Sequence, residues 1–557
     1  MQKNRSFSPR AAVPHAAASR KQQQALRHLL DVPEADAIDQ LDKLMKNYPG
    51  DFLQIVELGN ASMHKGRFLV AGFVYSAWAQ KDPKNADAWS NLGAALIRQR
   101  RVKEAREVLM YGAELDPNNA NIFINLAGVL QELGEFQEAL KVSLDAVRLD
   151  PRSALAFNNL SSSLADLGMV NEALHACETA LMLEPNNEYA RINRVKLKMR
   201  QGLGKFALKE LENLLAEEVS RGGLHADLLR YHLSFEYLAR GRIEEGFEYY
   251  ESGLSKRIPF GMARQPARQF AVPRWDGSPL TADQTLMVWR EQGIGDEIMF
   301  GTCLHELEAM PCKVILETDP RFVDIYQRSF PKFLVRPQAF LPDHDFVQAF
   351  NDYDCHLPIG SLPYLYRKDL ASFARGRRPY LVPDRELLLK FHERLAPYAR
   401  QRLVGICWRS GKMNATRNAA YTHLSDWKDV LTLPGYQFVN LQYGECEEEV
   451  AEAERAFGVR ILRWDDVNLK DDLDAVFALM SCLDIVVSAA TAVFPMAAAV
   501  GTPALQLGSR QWANFSMPFM YPWFRHARIT GWNRREHIAN ELKKVPDLMN
   551  RMLRLPI

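Results

Sequence analysis

The chain has 557 residues, 47% hydrophobic and 25% charged, an ordinary globular balance but too long for one core. Its formal net charge of +1 gives no global pull toward nucleic acid or an anionic membrane. No apolar run reaches the roughly 18–20 residues that span a bilayer, and seven scattered cysteines without a C-x-x-C pair exclude a disulfide framework and a zinc site. The thiols are expected to be reduced, as in a cytoplasmic protein.

The first 30 residues hold Lys3, Arg5, Arg10, Arg20, Lys21 and Arg27 and no acid. A disordered basic tail over 1–24 is expected, with a mitochondrial-type presequence as the alternative. Prolines then recur every 34 residues, at Pro49, Pro83, Pro117, Pro151 and Pro185. Leu58, Leu92, Leu126 and Leu160 keep the same step, as do Ala71, Ala105, Ala139 and Ala173. Ile55, Trp89, Phe123 and Phe157 supply a large apolar residue at a third phase. This pattern resembles the tetratricopeptide repeat. A small Ala lets two helices approach, Pro resets the chain, and helix pairs stack because none buries its own apolar face. Clear units cover 51–185 and looser ones extend the solenoid over 25–257. Asn91, Asn125 and Asn159 lie 34 apart on successive first helices, where their amides could bond an extended acceptor peptide. The plainer alternative is that they cap or solvate the inner surface.

A linker follows over 258–284, with turn chemistry at Asp276-Gly277, and is expected to dock on the next domain. Strand-like and helix-like runs then alternate, which implies parallel sheets in two Rossmann-like halves, 285–390 and 391–557, the second ending in a closing helix. Ligands of such sheets sit beyond the carboxyl ends of the strands. The strand "TLMVW" runs into Gln292, Gly293, Gly295 and Asp296, with a helix expected over 297–310. Asp296 either caps that helix or faces a cleft. No Gly-Lys-Ser/Thr follows, and Ile298 stands where a third glycine would complete a dinucleotide fingerprint.

"PRWDGSPL…LMVWREQGIGDEIMF", "DIVVSAATAVFPMAAAVGTPALQLG" and "PFMYPWFRHARI", behind the repeats, look like bacterial repeat proteins ending in a heptosyltransferase-like, glycosyltransferase family 9-like domain. The resemblance implies a GT-B arrangement, acceptor side first and nucleotide-sugar side second. It also implies inversion at the anomeric carbon, a nucleotide-sugar as substrate, and neither metal nor cofactor. Some proteins of this organisation glycosylate flagellin or other proteins. The family's Gly-Asp turn matches Gly295-Asp296, which makes Asp296 the candidate base. Donor contacts are expected from Arg409, Ser410, Lys412 and Arg417 after one strand, from Gln442 and Tyr443 with Asn440 after another, and from Ser488, Thr491 and Ala492 at a helix start. A solvated basic loop and a plain Thr491 N-cap are the alternatives. Ala490, Pro495 and Met496 replace the Asp, His and Leu common in the family, which implies either a donor other than a heptose nucleotide or weak activity, and the retained basic loop and Asp296 favour the changed donor.

The expected activity is therefore transfer of a sugar to a protein captured by the repeats, flagellin Ser/Thr hydroxyls being one such acceptor. The alternatives are a non-catalytic scaffold with a degenerate transferase domain, or a transferase acting on a surface glycan. Partners are an acceptor polypeptide and a nucleotide-sugar, with no nucleic acid and no membrane span, and a homo-oligomer is left open.

Overall fold

The 34-residue register becomes a register of helices. The structure, a computed structural model, describes residues 26–554 except 46–51, 100, 202–203, 224, 256, 259–262, 267, 269, 339–351, 377–378, 411–420, 509–525 and 530–537. Helix α1 (Glu34–Met45) precedes the pairs α2 (Leu53–His64) and α3 (Phe68–Lys81), α4 (Ala86–Arg98) and α5 (Val102–Leu115), α6 (Ala120–Glu132) and α7 (Phe136–Leu149), and α8 (Ala154–Asp166) and α9 (Val170–Leu183), followed by α10 (Glu188–Arg200). Ala71, Ala105, Ala139 and Ala173 are fully buried, so the phase read as helix crossing is one. Asn85 and Ser153 cap α4 and α8 by accepting backbone N–H bonds at 3.1 Å. Gly134 and Gly168 turn the chain between paired helices at φ of 78° and 80°, which a side chain would strain.

The chain divides into two compact units, 1–197 and 198–557. The helices α11 (Gly204–Arg221), α12 (Ala226–Ala239) and α13 (Ile243–Glu251), at the looser end of the repeats, belong to the second unit. That unit continues with β1 (Thr285–Trp289), α14 (Ile294–Gly301), α15 (Leu304–Glu308), β2 (Lys313–Thr318), α16 (Val323–Ser329), β3 (Leu334–Pro337), β4 (Cys355–Pro358), α17 (Leu362–Tyr366) and α18 (Arg385–Leu395). It ends with β5 (Arg402–Cys407), α19 (Lys428–Leu431), β6 (Tyr436–Asn440), α20 (Glu447–Phe457), β7 (Ile461–Leu462), α21 (Leu473–Ser481), β8 (Ile485–Ala489), α22 (Val493–Val500), β9 (Ala504–Leu507), β10 (His526–Ile529), α23 (Ile538–Leu542) and α24 (Val545–Arg554).

Two parallel sheets result, a four-stranded one in the order β3-β2-β1-β4 and a six-stranded one in the order β10-β9-β8-β5-β6-β7. Strand order reverses at β1 in the first and at β5 in the second, and each reversal opens a crevice at the carboxyl ends. The six-stranded sheet is cored by Val404, Ile406, Phe438, Ile485, Val487 and Leu505, buried between helical layers. Two expected elements differ. The helix expected over 297–310 starts at Ile294 and breaks after Gly301 into α14 and α15, and β10 adds a strand in the closing segment.

The chain between α13 and β1 lies on the first sheet. Phe270 stacks on His356 at 3.6 Å, and Trp289 Nε1 donates to His356 Nδ1 at 3.1 Å. Burial, with Arg274 and Arg268 nearby, pushes the imidazole down to about 4. Trp275 N donates to the His356 carbonyl at 2.9 Å.

Because Ala139 is fully enclosed at a helix crossing, Ala139→Leu is expected to destabilise the solenoid by about 1–3 kcal/mol. A lowered melting temperature checks it, and an unchanged one would show a crossing with slack.

Candidate active site

The crevice ends of the two sheets meet in one cleft of about 730 Å³. Gly293, Gly295 and Asp296 line it from the turn after β1, and Ser410, Tyr443, Thr491 and Ala492 line it from the ends of β5, β6 and β8. The walls are close: a methyl group at Gly295 would stand 3.5 Å from Ala492 Cα. Gly295 thus leaves room where α14 faces the start of α22.

Asp296 sits at the third position of α14. Its Oδ2 accepts from Gly293 N at 3.1 Å, which closes the turn. The capping reading is therefore true of one carboxyl oxygen. Oδ1 has no hydrogen-bond partner among the described residues. Burial raises the carboxyl to about 6; the Gly293 N–H opposes this and the Glu291 charge adds to it. A carboxyl group poised near neutrality at a strand end is suited to taking a proton.

The basic groups differ from those expected. Lys412 and Arg417 lie outside the described residues. Arg409 turns away from the cleft: its Nε donates to Glu449 Oε1 at 2.8 Å, so the adjacent acid of α20 has claimed it. Gln442 is buried and structural, its Oε1 accepting from Trp408 N at 3.1 Å and Arg409 N at 3.0 Å. Asn440 Oδ1 accepts from Gln442 N at 2.9 Å. Ser488 is fully buried and donates to the Ala489 carbonyl at 2.7 Å, behind the cleft wall. Thr491 does reach the cleft; it lies one residue before the N-cap, Ala492, and its Oγ1 accepts from Val493 N at 3.3 Å. Tyr443 and Ser410 share a hydroxyl contact of 3.3 Å. Gln292 is not among the lining residues; its backbone is left-handed at φ 59° and its Nε2 donates to Tyr231 OH at 3.3 Å.

Sequence reasoning missed Arg290, Asp319, Arg321 and Lys470, which also line the cleft. Arg321 clamps Asp319 through two bonds of 2.8 and 3.0 Å and reaches the Lys470 carbonyl at 2.9 Å. Arg290 lies 3.2 Å from Asp319 and 2.9 Å from Glu297. Burial raises Glu297 to about 7 against the pull of Arg290. Their one signal in the sequence was position, since Arg290 directly follows β1 and Asp319 directly follows β2. A smaller recess of about 260 Å³ opens beyond β6 and β7, lined by Asn440, Gln442, Tyr443, Glu447, Trp464 and Asp465 among others.

In the first unit, Asn91, Asn125 and Asn159 hold equivalent places on α4, α6 and α8. Asn159 Nδ2 donates to the Ile124 carbonyl at 2.9 Å, tying α8 to α6. The Asn91 and Asn125 amides have no hydrogen-bond partner among the described residues.

Residues 56–120 match the family described as tetratricopeptide repeat. The chain carries tetratricopeptide repeats. Such repeats suggest protein–protein interaction. Protein FlbA of Caulobacter vibrioides is 33% identical over 304 residues, 52% of this chain and 50% of that protein. The chain thus spans about half the length of this curated relative. Among solved structures, a thermophilic TPR protein of Thermus thermophilus is 21% identical, covering 30% of this chain and 91% of that one at a TM-score of 0.28. MamA from Desulfovibrio magneticus is 19% identical, covering 31% and 97% at a TM-score of 0.27. Among the described residues no helix is long and apolar enough to cross a membrane.

The raised Asp296 carboxyl has a stability consequence. Unfolded, it ionises near its ordinary value of 3.8, whereas folded it holds its proton up to about pH 6. The folded state therefore binds the extra proton in that window, and stability falls as pH rises through it. Asp296→Asn should stabilise the protein near neutral pH by roughly 1–3 kcal/mol, with the gain gone below about pH 4. Urea melts at the two pH values measure this.

Proposed function

We propose that the protein is an inverting glycosyltransferase that moves a sugar from a nucleotide-sugar donor to a hydroxyl of a protein bound by the repeats. The observation that carries the reading is the single cleft in which Asp296, at the end of β1, faces the N-terminus of α22, at the end of β8. The acceptor hydroxyl would give its proton to Asp296 as its oxygen attacks the anomeric carbon. The bond from that carbon to the diphosphate breaks, and the nucleotide leaves with the electron pair. Its growing charge would be met by Lys470 at the cleft. This lysine replaces Arg409, whose charge is spent on Glu449. The recess beyond β6 and β7 is a fitting place for the nucleoside, with Glu447 and Asp465 as acceptors for ribose hydroxyls.

The arrangement is GT-B in this reading, with the four-stranded half holding the acceptor and the six-stranded half the donor. As in the transferases it resembles, no metal is required. The unpartnered amides of Asn91 and Asn125 support capture of an extended peptide, and flagellin Ser/Thr side chains are acceptors of the right chemistry. Tethering the acceptor on the same chain raises its effective concentration at the cleft. One observation favours a scaffold without catalysis: Ala490, Pro495 and Met496 make part of the donor wall apolar. The poised carboxyl weighs against it, because a binding platform does not need one.

Asp296→Asn should lower transfer by about 10²- to 10⁴-fold while a thermal-shift screen with UDP-, CMP-, GDP- and ADP-linked sugars still finds the donor. In the native chain the rate should fall as pH drops through about 6, as the base takes up its proton. Intact-mass measurement of acceptor from cells carrying the variant decides, and full modification there would remove Asp296 as the base. Asn91→Ala with Asn125→Ala should cut modification of protein acceptor and spare donor binding. Asn159→Ala should instead lower stability, since its amide holds two helices together.

A further inference from the structure

The turn that carries Asp296 is braced from behind. Glu291 and Arg264 have fully buried side chains, and Arg264 Nε donates to Glu291 Oε2 at 2.8 Å. Glu291 Oε1 also accepts from Gly360 N at 3.0 Å. Arg264 reaches Glu251 of α13 at 2.9 Å and Ser361 Oγ at 3.1 Å, and its guanidinium lies 4.5 Å over the Tyr250 ring. Arg274 joins the same Ser361 and Glu251. Space is reserved for this cluster: a methyl group at Gly253 would stand 2.9 Å from Arg264 Cδ, and one at Gly360 would overlap Glu291. Next in the chain, Gln292 takes its left-handed conformation, its N–H bonded to the Gln265 carbonyl and its amide to Tyr231 OH of α12. A non-glycine residue in that region persists only when its surroundings over-determine it.

We propose that Glu291, Arg264 and Tyr231 are positioning residues, holding the Gln292 turn in the one conformation that presents the Asp296 carboxyl group to the cleft. This rests on the reading of Asp296 as the base, and it makes α12, α13 and the linker part of the active site's support. Neither of the other segments packed on α14 substitutes for them. The segment Ile359–Ser361 and helix α22, both packed on α14, bring no titratable side chain. The charged and titratable groups around Asp296 are Glu291 on its own turn, Tyr231 on α12 and Tyr250 on α13, with Arg264 and Glu251 behind them, and Arg290, Asp319, Arg321 and Lys470 along the shared cleft.

The test replaces the carboxyl by a thiol and needs no turnover. In the full-length Asp296→Cys protein, alkylation by iodoacetamide is followed across pH by the mass of the peptide bearing residue 296, which separates it from the seven native cysteines. Adding Glu291→Gln removes a buried negative charge and should move the alkylation inflection down by about one pH unit. Adding Tyr231→Phe removes only the hydroxyl that holds Gln292 and should raise the limiting rate above the inflection by about two- to tenfold. A merely structural loosening, which lets water reach residue 296, would lower the inflection in both variants, whereas positioning leaves it unmoved in Tyr231→Phe. Absence of either change overturns the proposal. If Glu291→Gln abolishes cooperative melting, Tyr231→Phe decides alone. Undiminished transfer by Asp296→Asn would instead sink the base reading and leave the alkylation result standing.

Discussion

The Glu291 carboxylate is buried away from solvent, and such a group has to be paired. Leaving it alone would cost several kcal/mol, so Arg264 must be buried beside it. Arg264 lies in the linker, and bringing it inside folds the linker onto the four-stranded sheet. That placement seats Tyr250 and Glu251 of α13 against the turn after β1. One ion pair thus fixes the end of the helical region, the linker and the strand end together. Such a pair is weak as a source of stability but strong as a constraint on geometry, since only one arrangement satisfies both charges.

The cleft follows from sheet topology. In each parallel sheet the strand order reverses beside a strand whose following turn carries chemistry: β1 with Asp296, β5 with Ser410, and β8 with Thr491 next to β5. Crossover helices cannot cover a sheet at its switch point, so a crevice is left there. The two crevices share one space because α14 and α22 pack together, which the small Gly295 and Ala492 permit. Across it, the Arg321 guanidinium bonds the Lys470 carbonyl. The groups that line this space are mixed: the raised carboxyl of Asp296, Asp319, three cations and an apolar patch.

Much of the site was legible because it follows backbone topology. The end of β1 and the helix start after β8 are recognisable from a β-rich run breaking into Gly, Asp or Thr, and both sit at the cleft. Arg409 was misplaced because a strand-end position says where Cα lies, not which neighbour takes the side chain. Glu449 is 40 residues away in sequence and captures it. Arg290, Asp319 and Arg321 were missed for the converse reason: they look like ordinary surface charges until the sheet brings β1 and β2 side by side. The three asparagines share one register in sequence, yet among the described residues only the Asn159 amide is bonded within the solenoid, because it reaches the Ile124 carbonyl of the preceding pair.

By itself the sequence determined the period-34 helix pairs, the parallel α/β architecture and the glycine-aspartate turn. These depend on local periodicity and on residue types that only certain backbone conformations accept. Tertiary structure alone decided which charges are spent on each other and which remain at the cleft. It also decided that Gln292 is held left-handed and that Asp296 sits where its proton affinity rises. Those outcomes depend on desolvation and on partners far apart in the chain, and neither is encoded in local pattern.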